Sequence, residues 1–113
     1  MENTRIKGLT ILKNGQLLTM NDGSVLKDAD LWIENGKIVK ISDRKETIPE
    51  NTDVIDVSGC VVMPGMIDSH VHYDESYMGD FFLASGVTSV RNMQGFAGHA
   101  KWRDEILAGT RRG

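Results

Sequence analysis

The sequence predicts a mixed α/β fold, β-rich over residues 1–62 and alternating strand with helix over residues 63–113. Two observations carry this. Between Ile6 and Val62, short apolar and often β-branched runs are broken by Asn, Gly and Asp, the pattern of strands joined by tight turns. After Pro64-Gly65 the spacing changes, and strand-like runs alternate with runs of helical period. A length of 113 residues suits one ordinary domain, so a single hydrophobic core is expected.

The clearest element spans Asp30 to Ile41. Leu31-Trp32-Ile33 and Ile38-Val39-Lys40-Ile41 flank Asn35-Gly36, a pair that tolerates the positive φ angles of a two-residue hairpin turn. Asn14-Gly15 after the run Leu9 to Leu12, and Asn21-Asp22-Gly23 after Leu17-Leu18-Thr19, mark two further turns. Another strand is expected over Val54 to Val57. The segment Ser42 to Thr52, with Asp43, Arg44, Lys45, Glu46 and Glu50, reads as a charged surface connection.

In the second half, Met66-Ile67 leads as a strand into Asp68-Ser69-His70. Phe81-Phe82-Leu83 lies in a helix that stops at Gly86, a favoured residue after a helix end. Val87 to Val90 is strand-like and Asn92 to Gly98 is a glycine-rich turn. Trp102, Ile106 and Leu107 stand on helical spacing within Lys101 to Ala108, before Gly109. Strands that alternate with helices pair in parallel through right-handed crossovers, and chemistry in such sheets gathers at the carboxyl ends of the strands. Asp68, His70 and Arg91 occupy that end.

Composition narrows the function classes. With 40% hydrophobic and 26% charged residues, the chain has the make-up of a soluble globular protein. A net charge of -3 and a pI near 5.5 argue against a nucleic-acid surface. The basic residues Lys101, Arg103, Arg111 and Arg112 are interrupted by Asp104 and Glu105 and read as a solvated helix face. No apolar run has membrane-spanning length, Met1 to Leu12 lack the apolar stretch of a signal peptide, and no membrane partner is expected. The single cysteine, Cys60, leaves no intrachain disulfide, which suits the cytoplasm.

The chemistry concentrates at Asp68, His70 and His72. Side chains at i, i+2 and i+4 of an extended strand point the same way, so these three can converge on one face. Neutral imidazoles are good ligands for zinc and similar divalent ions, and a nearby carboxylate either ligates or orients an imidazole through its other N–H. Both roles are open to Asp68. A bound metal lowers the pKa of water and polarises a carbonyl, which makes hydrolysis the expected reaction. A bare His-x-His is a weak signal; its context strengthens it.

The stretch Val62-Met63-Pro64-Gly65-Met66-Ile67-Asp68-Ser69-His70-Val71-His72 resembles the first barrel strand of the amidohydrolase superfamily, whose pattern is Pro-Gly-hydrophobic-Ile-Asp-x-His-x-His. Upstream, Asp28 to Ile38 and Val54 to Gly59 are similar to the small β-sandwich that precedes the barrel in that family. Downstream, Leu83-Ala84-Ser85-Gly86-Val87-Thr88-Ser89-Val90-Arg91-Asn92-Met93 resembles the second barrel strand of imidazolonepropionase-like and prolidase-like members. The resemblance implies a β-sandwich portion over residues 1–62 and, over 63–113, the first two strand–helix units of an incomplete (β/α)8 barrel. It implies His70 and His72 as metal ligands, a divalent metal with zinc foremost, and hydrolysis of a C–N bond in a small-molecule amide, dipeptide or cyclic amide or imine. Hydantoinase- and dihydroorotase-like members usually carry Arg after the His pair, where this chain has Tyr73 and Asp74, so that branch is disfavoured.

The family barrel has eight strand–helix units over about 250 residues, of which this chain supplies two. The bridging lysine, later histidines and final aspartate of the family stand on later strands, so no general base is assigned, and the chain alone is expected to be a truncated, inactive portion. Two alternatives stay open: a non-catalytic fragment that self-associates or needs a partner, and a small β-rich binding module. Among the other residues, Arg91 either meets an anionic substrate group or pairs with Asp68. His99 is expected as a surface residue at a helix start, Asp74 and Glu75 in the first turn of a helix, and Cys60 as a buried inert thiol. Gly95 and Gly98 lack the Lys-Ser/Thr of a phosphate loop.

Overall fold

The Asn35-Gly36 turn organises the first half of the chain. In the computed structural model, which describes residues 8–43 and 45–113, these residues have φ of 51° and 77°, the consecutive left-handed conformations of a type I′ hairpin. They join β4 (Ala29–Glu34) to β5 (Lys37–Asp43) in an antiparallel pair with Leu31 opposite Ile41. β1 (Leu9–Lys13) lies antiparallel to β4 and parallel to β6 (Asp53–Asp56), giving the sheet order β5-β4-β1-β6. β2 (Gln16–Leu18), β3 (Val25–Leu26) and β7 (Val61–Val62) form a second sheet in the order β3-β2-β7. Asn14, at φ 68°, and Gly15 therefore carry the chain from one sheet to the other, whereas the turn around Gly23 closes the β2–β3 hairpin.

Opposed residues in paired strands share a face. Ile11 and Trp32 stand on one face of the first sheet, and Leu12, Leu31 and Ile41 on the other. Leu31 and Ile41 line an apolar cavity together with Leu17 and Val62 of the second sheet, so the two sheets meet through that face. Ile11 is fully buried, and Leu17, Leu31 and Trp32 nearly so. Asp30 is buried on β4 and meets Lys13 Nζ at 3.7 Å. Beyond β6, Asp56 accepts hydrogen bonds from the Ser58 hydroxyl (2.6 Å), the Ser58 N–H (3.0 Å) and Asn14 Nδ2 (3.0 Å). These donors, the Ser58 hydroxyl foremost, hold its carboxyl below the ordinary range. The charged connection is shorter than expected, because β5 runs on to Asp43; Lys40 then pairs with Glu46. Ile6 and Arg44 lie outside the described residues.

The chain divides into two compact units, Met1–Pro64 and Gly65–Gly113. The single core expected from length is thus replaced by two small buried centres, the second made by Val71 and Tyr73. The second unit runs β8 (Met66–Val71), α1 (Met78–Ala84), β9 (Val87–Asn92), α2 (Ala97–Leu107). β8 and β9 pair in parallel, as alternation with helices predicts. Gly86, at φ 78°, ends α1 and returns the chain to β9, while its carbonyl accepts the Met66 N–H at 2.9 Å. Gly65 is required by proximity, since a Cβ there would stand 2.8 Å from Thr88 Cβ. Tyr73 packs edge-on against Phe82 (centroids 5.5 Å) and beside Trp102 (5.4 Å), which binds both helices to the end of β8. α2 begins four residues before Lys101. The basic residues of α2 and of the segment after it are paired in place: Arg111 Nε meets Glu105 at 2.7 Å, Arg103 meets Asp104 at 3.0 Å, and Lys101 lies 3.8 Å from Glu105. Among the described residues, no helix is long and apolar enough to cross a membrane.

Candidate functional site

β8 delivers Asp68 and His70 towards its carboxyl end, and His72 stands just past its last paired residue, Val71. The alternation expected for these three residues is broken. From Asp68 to Val71 the strand advances three residues while β9 advances two, from Val90 to Asn92, so β8 carries a bulge. Asp68 Oδ1 accepts the backbone N–H of His70 at 3.1 Å inside that bulge. Its carboxylate therefore holds the main chain at His70.

The two histidines nonetheless remain neighbours. Their ring centroids are 5.6 Å apart with planes inclined by 54°, and both residues are exposed. Two imidazoles on one tetrahedral zinc ion, with Zn–N of roughly 2.0–2.1 Å, have centroids about 5 Å apart. The observed separation is near that value, so these two imidazoles are the residues that could hold a divalent ion. Among the described residues, no three His, Cys, Asp or Glu side chains gather closely enough to form a fuller metal cluster.

Other site residues fall differently from expectation. Arg91 is exposed on β9, and no Arg91–Asp68 ion pair forms among the described residues. Asp74 and Glu75 are exposed in the loop before α1, because the helix begins only at Met78 and has Asp80 in its first turn. Cys60 is exposed: it ends the tight turn Val57 to Cys60, with its N–H donated to Val57 O, and so lies outside the apolar interior.

His99 is the largest departure. It is half-buried, and its ring reaches back to the segment that follows His72. The Phe96 N–H donates to His99 Nδ1 at 3.0 Å, so Nδ1 is the unprotonated nitrogen and Nε2–H donates to Tyr73 O at 2.5 Å. Asn92 Oδ1 accepts the Tyr73 N–H at 3.0 Å, and Asn92 Nδ2 donates to Gln94 O at 2.7 Å. Sequence reasoning missed Asn92 altogether. A histidine at the third position of a helix, closing on a Phe N-cap, carries none of the Ser/Thr-x-x-Glu signal that marks such a cap.

No family model matches the chain. The chain is 34% identical over 68 residues to an adenine deaminase of Clostridium botulinum, covering 60% of this chain and 11% of the relative. To a dihydroorotase of Bacillus cytotoxicus it is 42% identical over 65 residues, covering 58% and 14%. That similarity coexists with Tyr73-Asp74, so the missing Arg does not set the chain apart from dihydroorotases. A putative prolidase from Bifidobacterium longum superposes with a TM-score of 0.79 and 27% identity over 94% of this chain and 28% of the other. The chain thus spans about a tenth of those curated relatives' length and under a third of that solved structure. Shared sequence over more than half of the chain and shared backbone over nearly all of it lead to one conclusion: the chain is similar to the N-terminal part of hydrolases of the amidohydrolase type.

Proposed function

We propose that this chain carries the first metal-binding strand of a hydrolase that cleaves a C–N bond, with His70 and His72 as two ligands of one divalent ion, zinc foremost. The observation that carries the reading is the pair of exposed, neighbouring imidazoles at the carboxyl end of β8. The relatives' names, adenine deaminase, dihydroorotase and prolidase, support a C–N bond as the target. In this reading β8-α1-β9-α2 is the opening quarter of a (β/α)8 barrel, and the substrate is a small amide, dipeptide or cyclic amide or imine.

When bound, such an ion polarises the scissile carbonyl or imine and brings the pKa of water towards neutrality. His70 and His72 hold it through neutral ring nitrogens. Asp68 fixes the bulge from which His70 projects. Arg91, exposed and unpaired with Asp68, is available to an anionic substrate group. Catalytic zinc normally has three protein ligands and a water, so these two imidazoles alone bind with modest affinity, and the 113 residues alone turn over substrate at background rate. A cytoplasmic location belongs to the same reading and draws support from the lone cysteine.

A second reading concerns the chain as it stands. Ile67 is 75% exposed, Leu107 70%, Ile38 66% and Phe81 65%. Burying one such side chain is worth roughly 1.5–3 kcal/mol, which favours self-association or a protein partner. Calorimetric zinc titration tests the first reading. Wild type is expected to bind and His70→Ala/His72→Ala to lose that binding, whereas equal binding in both would reject the assignment.

A further inference from the structure

His72 lies one residue beyond the end of β8, where the ladder to β9 has stopped. Its side chain is exposed, so neighbouring side chains do little to define its direction. What directs it is the backbone on either side. On the near side, the Val71 carbonyl accepts the Met93 N–H at 2.9 Å. On the far side, both polar backbone groups of Tyr73 are taken by side chains, its N–H by Asn92 Oδ1 and its C=O by His99 Nε2–H.

The two side chains are themselves held. Asn92 is the last residue of β9; its Nδ2 donates to Gln94 O and also lies 3.3 Å from His99 Nδ1, which leaves Oδ1 facing Tyr73. His99 is oriented by the Phe96 N–H at Nδ1, which fixes the tautomer that can donate to Tyr73. The rings of Phe96 and Trp102 pack on it at centroid distances of 4.0 and 5.2 Å. The Tyr73 ring anchors the same residue in the core of this unit. Two side chains, Asn92 of β9 and His99 of α2, thus converge on the backbone of one residue next to one of the two histidines.

We propose that Asn92 and His99 are positioning residues: they clamp the Tyr73 backbone and thereby hold His72 within reach of the ion shared with His70. The part of this inference that concerns metal rests on the reading of His70 and His72 as ligands; the clamp on Tyr73 does not. A side chain that donates to or accepts from the backbone beside a ligand acts as ligand-orienting partners do, and their loss typically lowers metal affinity about 10- to 100-fold.

The test uses the full chain in five forms: wild type, Asn92→Leu, His99→Leu, Asn92→Asp, which keeps the acceptor, and His99→Gln, which keeps a donor. Amide exchange at Tyr73 and the NMR order of the His72 ring are read without metal, and cobalt(II) alone is then titrated by its visible absorption. Both Leu variants are expected to speed Tyr73 exchange at least about 10-fold and to disorder the His72 ring. They should weaken cobalt binding by about 10-fold or more, with Asn92→Asp and His99→Gln within a few-fold of wild type. Folded Leu variants that keep both Tyr73 protection and His72 order would overturn the clamp. If they do not fold, His99→Asn, whose shorter side chain falls short of Tyr73, is judged by the same readouts. A wild type that takes up no cobalt would defeat the ligand assignment, and the clamp would then stand or fall on exchange and ring order.

Discussion

Substituting Gly65 by Ala should destabilise the second unit, and the damage should be reversible at one other position. The new Cβ would stand 2.8 Å from Thr88 Cβ, with Thr88 Oγ1 and Cγ2 closer still. Rotating Thr88 about χ1 moves its two branches but leaves its Cβ in place, so the backbone has to yield. It cannot yield freely, because the next residue, Met66, donates to Gly86 O at 2.9 Å and pairs with Val87. Forcing extra atoms into a packed site costs about 1–3 kcal/mol. Thr88→Gly removes all three clashing atoms at a cost of about 0.5–1 kcal/mol for glycine in a strand. The double variant Gly65→Ala/Thr88→Gly should therefore match Thr88→Gly alone, giving a coupling of about 1–3 kcal/mol. Urea unfolding followed by Trp102 fluorescence in a Trp32→Phe background measures it. Additive losses, or a Gly65→Ala variant as stable as its parent, would refute the proximity argument.

Three further outcomes are expected. Ile11→Ala, at the one large side chain with no exposure among the described residues, should cost about 2–5 kcal/mol and melt the β-rich unit first, as read by hydrogen exchange on β1 and β4. Asp56 has a folded pKa below its ordinary value of 3.8, so its contribution is complete above that value and lost as pH falls through the lower folded one. Ser58→Ala should therefore flatten the acid side of the stability profile below about pH 4 and leave the neutral side's slope unchanged, as pH-dependent denaturation would show. The purified chain at micromolar concentration should scatter light as a dimer or larger species, given the exposure of Ile67, Ile38, Phe81 and Leu107; a monodisperse monomer with a cooperative melt would contradict this.

The parts of the fold that were legible in the sequence are those with local causes. Asn35-Gly36 specifies a hairpin by its own φ preferences, and Gly86 specifies a helix end in the same way. The parallel pairing of β1 with β6 joins residues some forty positions apart, and nothing in either run encodes that choice. The start of α2 was misplaced because Ala97-Gly98-His99-Ala100 has no apolar period; a side-chain cap on the backbone, not burial, begins the helix there. At the site, the His70 and His72 pair was legible as a motif. The bulge beneath it was not, since bulges need no Gly or Pro to announce them. Asn92 escaped notice and His99 read as a surface residue, because their contacts with the Tyr73 backbone are a fact of tertiary structure alone.

X-ray absorption at the zinc edge of the loaded chain tests most directly whether His70 and His72 ligate one ion together. Two imidazole ligands at roughly 2.0–2.1 Å per zinc are expected in the wild type, and one in each of His70→Ala and His72→Ala. A zinc shell with no imidazole scattering, or one unchanged by either substitution, would contradict it.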